Sequence, residues 1–158
     1  MPQRSLQQVR VSVSLIFLIH GLIIATWASR IPAFQAHLHL SPAVLGRSLM
    51  MAAIGSVLAM PAAGWLISKI GSLSILIGST LGFCLSLLLI AESNTVLTLS
   101  LALFFYGAMG GSMDVAMNTH AVMLEKRYQR HIMSSFHALF SLGEIGRASC
   151  RERVFALV

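Results

Sequence analysis

Charged side chains are scarce in this sequence: only 10% of its 158 residues are Asp, Glu, Lys or Arg, against roughly a quarter in an average soluble chain. That shortage excludes an ordinary soluble globule, and a hydrophobic content of 56% excludes a disordered chain. Cysteine is also rare. Cys84 and Cys150 are the two present, and they offer neither a disulfide framework nor the paired spacing of a zinc site. Signatures of soluble chemistry are missing too: there is no Gly-rich loop ending in Lys-Ser or Lys-Thr, no HExxH and no Gly-x-Ser-x-Gly elbow. The GAMGG run from Gly107 to Gly111 lies inside an apolar stretch and reads as packing, not as a nucleotide cradle. An embedded enzyme would need a second catalytic group beside Asp114, and Asn118, Thr119 and His120 supply none. The expectation is a protein without cofactor or metal that is not an enzyme.

What the sequence does contain is long uncharged runs. Val11 to Ser29, Ser48 to Ser68, Ile70 to Ala91 and Ser93 to Met113 carry no Asp, Glu, Lys or Arg. At about 1.5 Å per helical residue, some 20 residues cross a hydrocarbon core of roughly 30 Å. An all-α integral membrane protein follows, with helices expected over about 11–29, 43–67, 71–91 and 95–118. A further apolar run opens near Ile132 and stops after about twelve residues, too short to span.

The net charge of +6 would raise a nucleic-acid reading in a soluble domain. Here the basic groups are parted by membrane-length runs and cannot form one such patch, so no nucleic-acid partner is expected; the lipid bilayer is. With Met1 in the cytoplasm, the inner segments hold Arg4, Arg10, Lys69, Lys126, Arg127 and Arg130, and the outer ones only Arg30 and Arg47. That asymmetry is the positive-inside bias of a multi-pass inner-membrane protein with a cytoplasmic amino terminus. The start imitates a signal peptide, but the apolar run continues through Trp27 and more crossings follow, which favours an uncleaved first helix.

Residues 144–154, EIGRASCRERV, change character abruptly and resemble a translated sequencing-adapter oligonucleotide. Residues 144–158 are therefore expected to be a non-native tail, and 1–143 the amino-terminal part of a longer protein.

Small residues recur at helical spacing: Gly55 with Ala59, Gly78 with Gly82, and Gly107 with Gly111. Such pairs let membrane helices approach closely. The fourth run continues this stripe into polar residues, since Gly107, Gly111, Asp114 and Asn118 fall on one helical face. An aspartate at a helix centre in lipid costs about 3 kcal/mol, so Asp114 avoids the acyl chains. Two readings stay open: Asp114 crosslinks helices near the inner interface, or it lines a watery cavity and binds solute or a proton. Phe17, His20, Ile24 and Trp27 share a face of the first helix, where His20 and Trp27 either line a solute path or pack. His37 and His39 lie on the expected outer hairpin, IPAFQAHLHL, without further metal ligands.

Four segments carry a resemblance: WASRIPAFQ from Trp27 to Gln35, LSPAVLG from Leu40 to Gly46, DVAMNTHAVMLE from Asp114 to Glu125, and SSFHALFSLG from Ser134 to Gly143. Together they resemble the first third of a major facilitator superfamily transporter, in a branch near the fucose permeases and sugar-type relatives. Gly64, Ser68, Lys69, Gly71 and Ser72 are similar to that superfamily's inner-loop gating signature. The usual aspartate falls on Ser68 and one usual basic residue on Ser72, so Lys69 lacks its local acid.

The resemblance implies twelve helices in two six-helix halves, each half made from inverted three-helix repeats. It also implies secondary transport of a small polar solute, sugar-like, coupled to protons. Asp114 would take up the proton, while Asn118, His20 and Trp27 would contact solute and Arg30 would stand at the outer mouth. Symporters of this kind use acids in the first and fourth helices; the first helix here has no carboxylate. Export of drugs or metabolites by the same fold and a small assembly protein are the alternatives. A lone piece of this kind is expected to be inert without the remainder of the chain. For the topology, single cysteines placed at Gln3 and Gln129 should react with an impermeant maleimide from one side of the membrane, and one at His39 from the other.

Overall fold

The computed structural model describes residues 5–155, with side chains to Gly146. The described residues form helices and no strand: α1 (Leu6–Ala28), α2 (Ile31–His37), α3 (Pro42–Ile70), α4 (Ser72–Ala91), α5 (Val96–Tyr128) and α6 (Met133–Phe155). Four helical segments are long and apolar enough to cross a membrane: Leu6–His37, Pro42–Ile70, Ser72–Ala91 and Val96–Tyr128.

Local chemistry sets the boundaries. α1 begins at Leu6, ahead of the expected residue 11, because Ser5 and Gln8 form a reciprocal capping box that starts the helix while the chain is still polar. The expected outer hairpin is largely helical. Pro32 lies in the first turn of α2, where its missing N–H is no loss, and only Leu38 to Ser41 remain irregular before α3. Ser41 caps α3 and Pro42 follows it. That helix runs past the expected residue 67 to Ile70, uninterrupted by Pro61.

α3 and α4 are joined through Gly71 alone, at φ +85° and ψ 155°, a conformation that a Cβ would strain. Thr95 and Thr98 exchange backbone and hydroxyl hydrogen bonds at the start of α5. α5 continues ten residues beyond the expected 118, since THAVMLEKRY contains neither Gly nor Pro, and it ends where Gln129 turns to φ +50°. Its 33 residues give a length of about 50 Å, longer than the hydrocarbon core. α6 likewise passes the expected stop and runs through the charged EIGRASCRERV segment, which holds no proline to end it.

The chain divides into two compact units, parted within α5 between Ala116 and Met117. In the first, α1 lies along α6. Phe17 stacks on Phe136 with ring centroids 5.5 Å apart, and both are fully buried. A Cβ on Gly21 would strike the Phe140 carbonyl, and one on Gly143 would lie 2.5 Å from the Leu18 oxygen and 3.0 Å from the Leu22 nitrogen. In the second unit, residues 31–116, α5 crosses α3 in the same manner. A Cβ on Gly107 would strike the Ala52 carbonyl, and one on Gly55 the Phe104 carbonyl. In each pair, a glycine rests on the carbonyl three residues before its partner glycine.

The second unit adds further close contacts. A Cβ on Gly111 would meet Ser56 Oγ at 2.5 Å, one on Gly82 would meet Met109 Sδ at 2.5 Å, and one on Gly110 would meet the Phe83 ring at 2.9 Å. Gly78 has open space around it. Phe83 and Tyr106 pair at 4.6 Å, and Ser100 donates to Ser48 at 3.1 Å between α5 and α3. The buried hydroxyls of Ser79 and Ser86 bond to carbonyls of their own helix, and that of Ser93, just past α4, to the Leu89 carbonyl, as a medium without water requires. Replacing Gly107 by Val should lower unfolding stability in detergent by about 1–3 kcal/mol, the usual cost of overpacking. Gly78→Val should change it by less than about 0.5 kcal/mol, the range of surface substitutions; denaturant titration by circular dichroism measures both.

Candidate functional site

α5 carries the polar stripe. Gly107 and Gly111 are buried where α5 meets α3, and Asp114 continues their face one turn further. Asp114 is half-buried in the second unit. Asn118, one turn beyond, is also half-buried and belongs to the first unit. In a helix crossing a membrane, a carboxylate can hold a proton, and an amide offers both a donor and an acceptor.

The first unit also contains His20 and Trp27, both buried on α1. His20 sits edge-on to Phe140 at 5.4 Å, so its imidazole is lined by an aromatic wall of α6. His137 of α6 is edge-on to Phe17 at 5.3 Å, though largely exposed. His120, which the sequence reading weighed only as a catalytic partner for Asp114 and set aside, lies two residues past Asn118 and is half-buried. Its Nε2 is buried with no hydrogen-bond partner among the described residues. In this unit α1 thus contributes one buried imidazole and α5 contributes another polar ring, Asn118 and Thr119. Among the described residues no three His, Cys, Asp or Glu side chains converge as a metal site would require.

The gating residues fall on a tight helical junction. Gly64, Ser68 and Lys69 lie within α3, and Gly71 is the linking residue. The Ser68 hydroxyl bonds back to the Trp65 carbonyl at 2.6 Å, within its own helix. Lys69 is exposed and forms no ion pair among the described residues. Arg30 is exposed between α1 and α2, and its backbone N–H closes the end of α1 on the Trp27 carbonyl at 2.8 Å. Cys84 is exposed on α4.

Two further residues escaped the sequence reading. Gly21 and Gly143 form the α1–α6 crossing; Gly21 has Ala25 four residues on, the spacing of Gly55 with Ala59, whereas Gly143 has no small residue four away. Glu125 was noted only as the end of a motif. Its Oε2 accepts from the backbone N–H of Ile132 at 2.9 Å and of Met133 at 2.8 Å, and Oε1 lies 3.5 Å from His131 Nδ1. The carboxylate therefore caps the start of α6 from the preceding helix. Its signal in sequence is an acid eight residues before a helix start, which only the turn at Gln129 makes meaningful.

Four membrane-length helices, with glycine crossings and a half-buried acid, define a multi-pass membrane protein. The chain belongs to the Major Facilitator Superfamily, whose family model matches residues 13–145. It is 43% identical over 136 residues to an uncharacterized MFS-type transporter of Yersinia pestis, covering 86% of this chain and 35% of that protein. An uncharacterized transporter of Sinorhizobium fredii is 36% identical over 129 residues, 82% of this chain and 34% of that one. Membrane protein MosC of Rhizobium meliloti is 35% identical over 132 residues, 84% of this chain and 32% of that one. The chain thus spans about a third of the length of the curated relatives it matches. No solved structure matches it. Glu125→Ala should speed amide hydrogen exchange at Ile132 and Met133 by about 2- to 30-fold, the loss of a cap worth roughly 0.5–2 kcal/mol; Glu125→Gln should do so by less.

Proposed function

We propose that the chain supplies the first helices of a secondary transporter that carries a small polar solute, sugar-like, together with protons. The observation that carries this reading is Asp114: a carboxylate held half-buried in a helix that crosses the membrane, directly after a glycine crossing. A carboxylate can take up and release a proton, and doing so there changes the charge that the helix presents within the membrane. Asn118, His20 and Trp27 contact solute or brace the site, and Arg30 stands at the outer mouth. Gly64, Ser68, Lys69 and Gly71 form the inner gate, with Lys69 drawing its acidic partner from a part of the protein beyond this chain.

The repeated crossing supports a build from related three-helix units, since α1 with α6 and α5 with α3 use the same glycine-on-carbonyl register. Four exposed positive side chains at Arg10, Lys126, Arg127 and Arg130 support an inner-membrane location with the amino terminus in the cytoplasm. The family match ends at residue 145, close to where the adapter-like segment opens, which favours reading 144–158 as foreign to the transporter. Alternating access needs a second half to move against, so activity belongs to the complete protein.

Export of weakly polar compounds is the second reading, favoured by the aromatic wall of Phe17, Phe136 and Phe140 beside His20. In the complete transporter reconstituted in vesicles, Asp114→Asn should abolish solute-driven proton movement while leaving solute binding within about tenfold. Unchanged proton movement removes Asp114 from the coupling role. Accumulation of a hydrophobic dye against its gradient, with no sugar uptake, selects the export reading.

A further inference from the structure

The start of α1 and the end of α5 meet in the first unit: the Arg10 guanidinium lies 5.8 Å from the Tyr128 ring centroid. This cation–π contact brings Arg10 to the level of Lys126, Arg127 and Arg130, all of them exposed. Acidic compensation is missing there. Glu125 is the one acid between Val115 and Gly143. Its oxygens are engaged by the N–H groups of Ile132 and Met133 and by His131, and Lys126, Arg127 and Arg130 form no ion pair among the described residues. Exposed His131 lies at the same end. The structure therefore concentrates positive charge contributed by two helices and uses its only nearby acid elsewhere.

The surroundings of this cluster identify the ligand. Further into the apolar runs the same two helices expose apolar side chains: Val11 and, past the polar Ser12, Leu15 and Ile19 on α1, Val122 and Met123 on α5. A free inorganic anion would gain nothing from them. An amphiphile would place its charged head on the basic side chains and its acyl chain along the apolar ones.

We propose that Arg10, Lys126, Arg127 and Arg130 form a binding site for the phosphate headgroup of an anionic lipid, whose acyl chain lies along the exposed faces of α1 and α5. Bound there, the lipid bridges the first and last turns of two helices that are distant in sequence and screens the repulsion among their basic ends. The site needs the chain to span a bilayer but does not depend on what the complete protein carries or on proton coupling.

The test uses the full chain in dodecylmaltoside micelles, titrated with palmitoyl-oleoyl phosphatidylglycerol or phosphatidylcholine and read by native mass spectrometry. Phosphatidylglycerol should be retained in preference to phosphatidylcholine, and an equal concentration of inorganic phosphate should not displace it. The K126Q/R127Q/R130Q variant should bind phosphatidylglycerol about 100-fold more weakly, near fivefold per basic group removed. R10Q alone should weaken it severalfold, and R47Q, a change at an exposed arginine of the other unit, should not. Circular dichroism of each variant separates a lost site from a lost fold. Equal retention of the two lipids, undiminished binding by the triple variant, or displacement by inorganic phosphate would overturn the proposal. Solute uptake by the complete protein is a separate readout, so failure of the transport reading leaves this result standing.

Discussion

Inside a bilayer the chain has no hydrophobic force with which to draw one helix to another, because lipid tails are as apolar as leucine. What remains is contact, and contact is strongest where no side chain intervenes. In both units the backbones close on one another at glycines: Gly21 with Gly143 in one, Gly55 with Gly107 in the other. The identical register, with each glycine on the carbonyl three residues before its partner, means that one packing solution is used twice. The position of Asp114 follows from it. Once Gly107 and Gly111 are committed to α3, the periodicity of α5 carries Asp114 along the same face, away from lipid.

The same medium dictates how polar groups are placed. Serine and threonine hydroxyls throughout α3, α4 and α5 bond to carbonyls one turn back, so they raise no further demand. Glu125 is absorbed by the first N–H groups of α6. These are structural answers to unpaired dipoles. Ionisable groups deeper in the helices stand apart from these hydroxyls, since an aspartate on α5 and imidazoles on α1 and α5 are costly to expose to lipid. That contrast underlies the functional reading proposed above.

Helix number and type were legible in the sequence because charge-free length is a strong signal, and because Ser41 with Pro42 marks a start unambiguously. Helix ends were less so. Neither end of α5 is punctuated by Gly or Pro, so nothing in THAVMLEKRY announces that the helix leaves the apolar layer and keeps going. The segment expected as an outer hairpin is largely helical, because Pro32 in a first turn opens a helix. For the packing glycines, spacing within one segment correctly directed attention to Gly107 and Gly111, but it gave Gly78 the same standing although that residue faces open space. Gly21 and Gly143 show the limit of the method: a crossing belongs to two helices, and a pattern read along one cannot reveal it. His120 was set aside as a catalytic partner and Glu125 noted only as the end of a motif for a similar reason, since their environments are made by other turns and helices.

The most direct test of paired helix crossings is a crosslink at the α3–α5 contact, where the Ser48 and Ser100 hydroxyls are 3.1 Å apart. With Cys84 and Cys150 replaced by serine, the S48C/S100C protein in bilayers should form an intramolecular disulfide under mild oxidation, detected by mass spectrometry of the joined peptides. Two thiols that stay free, or that join only between molecules, would contradict the account.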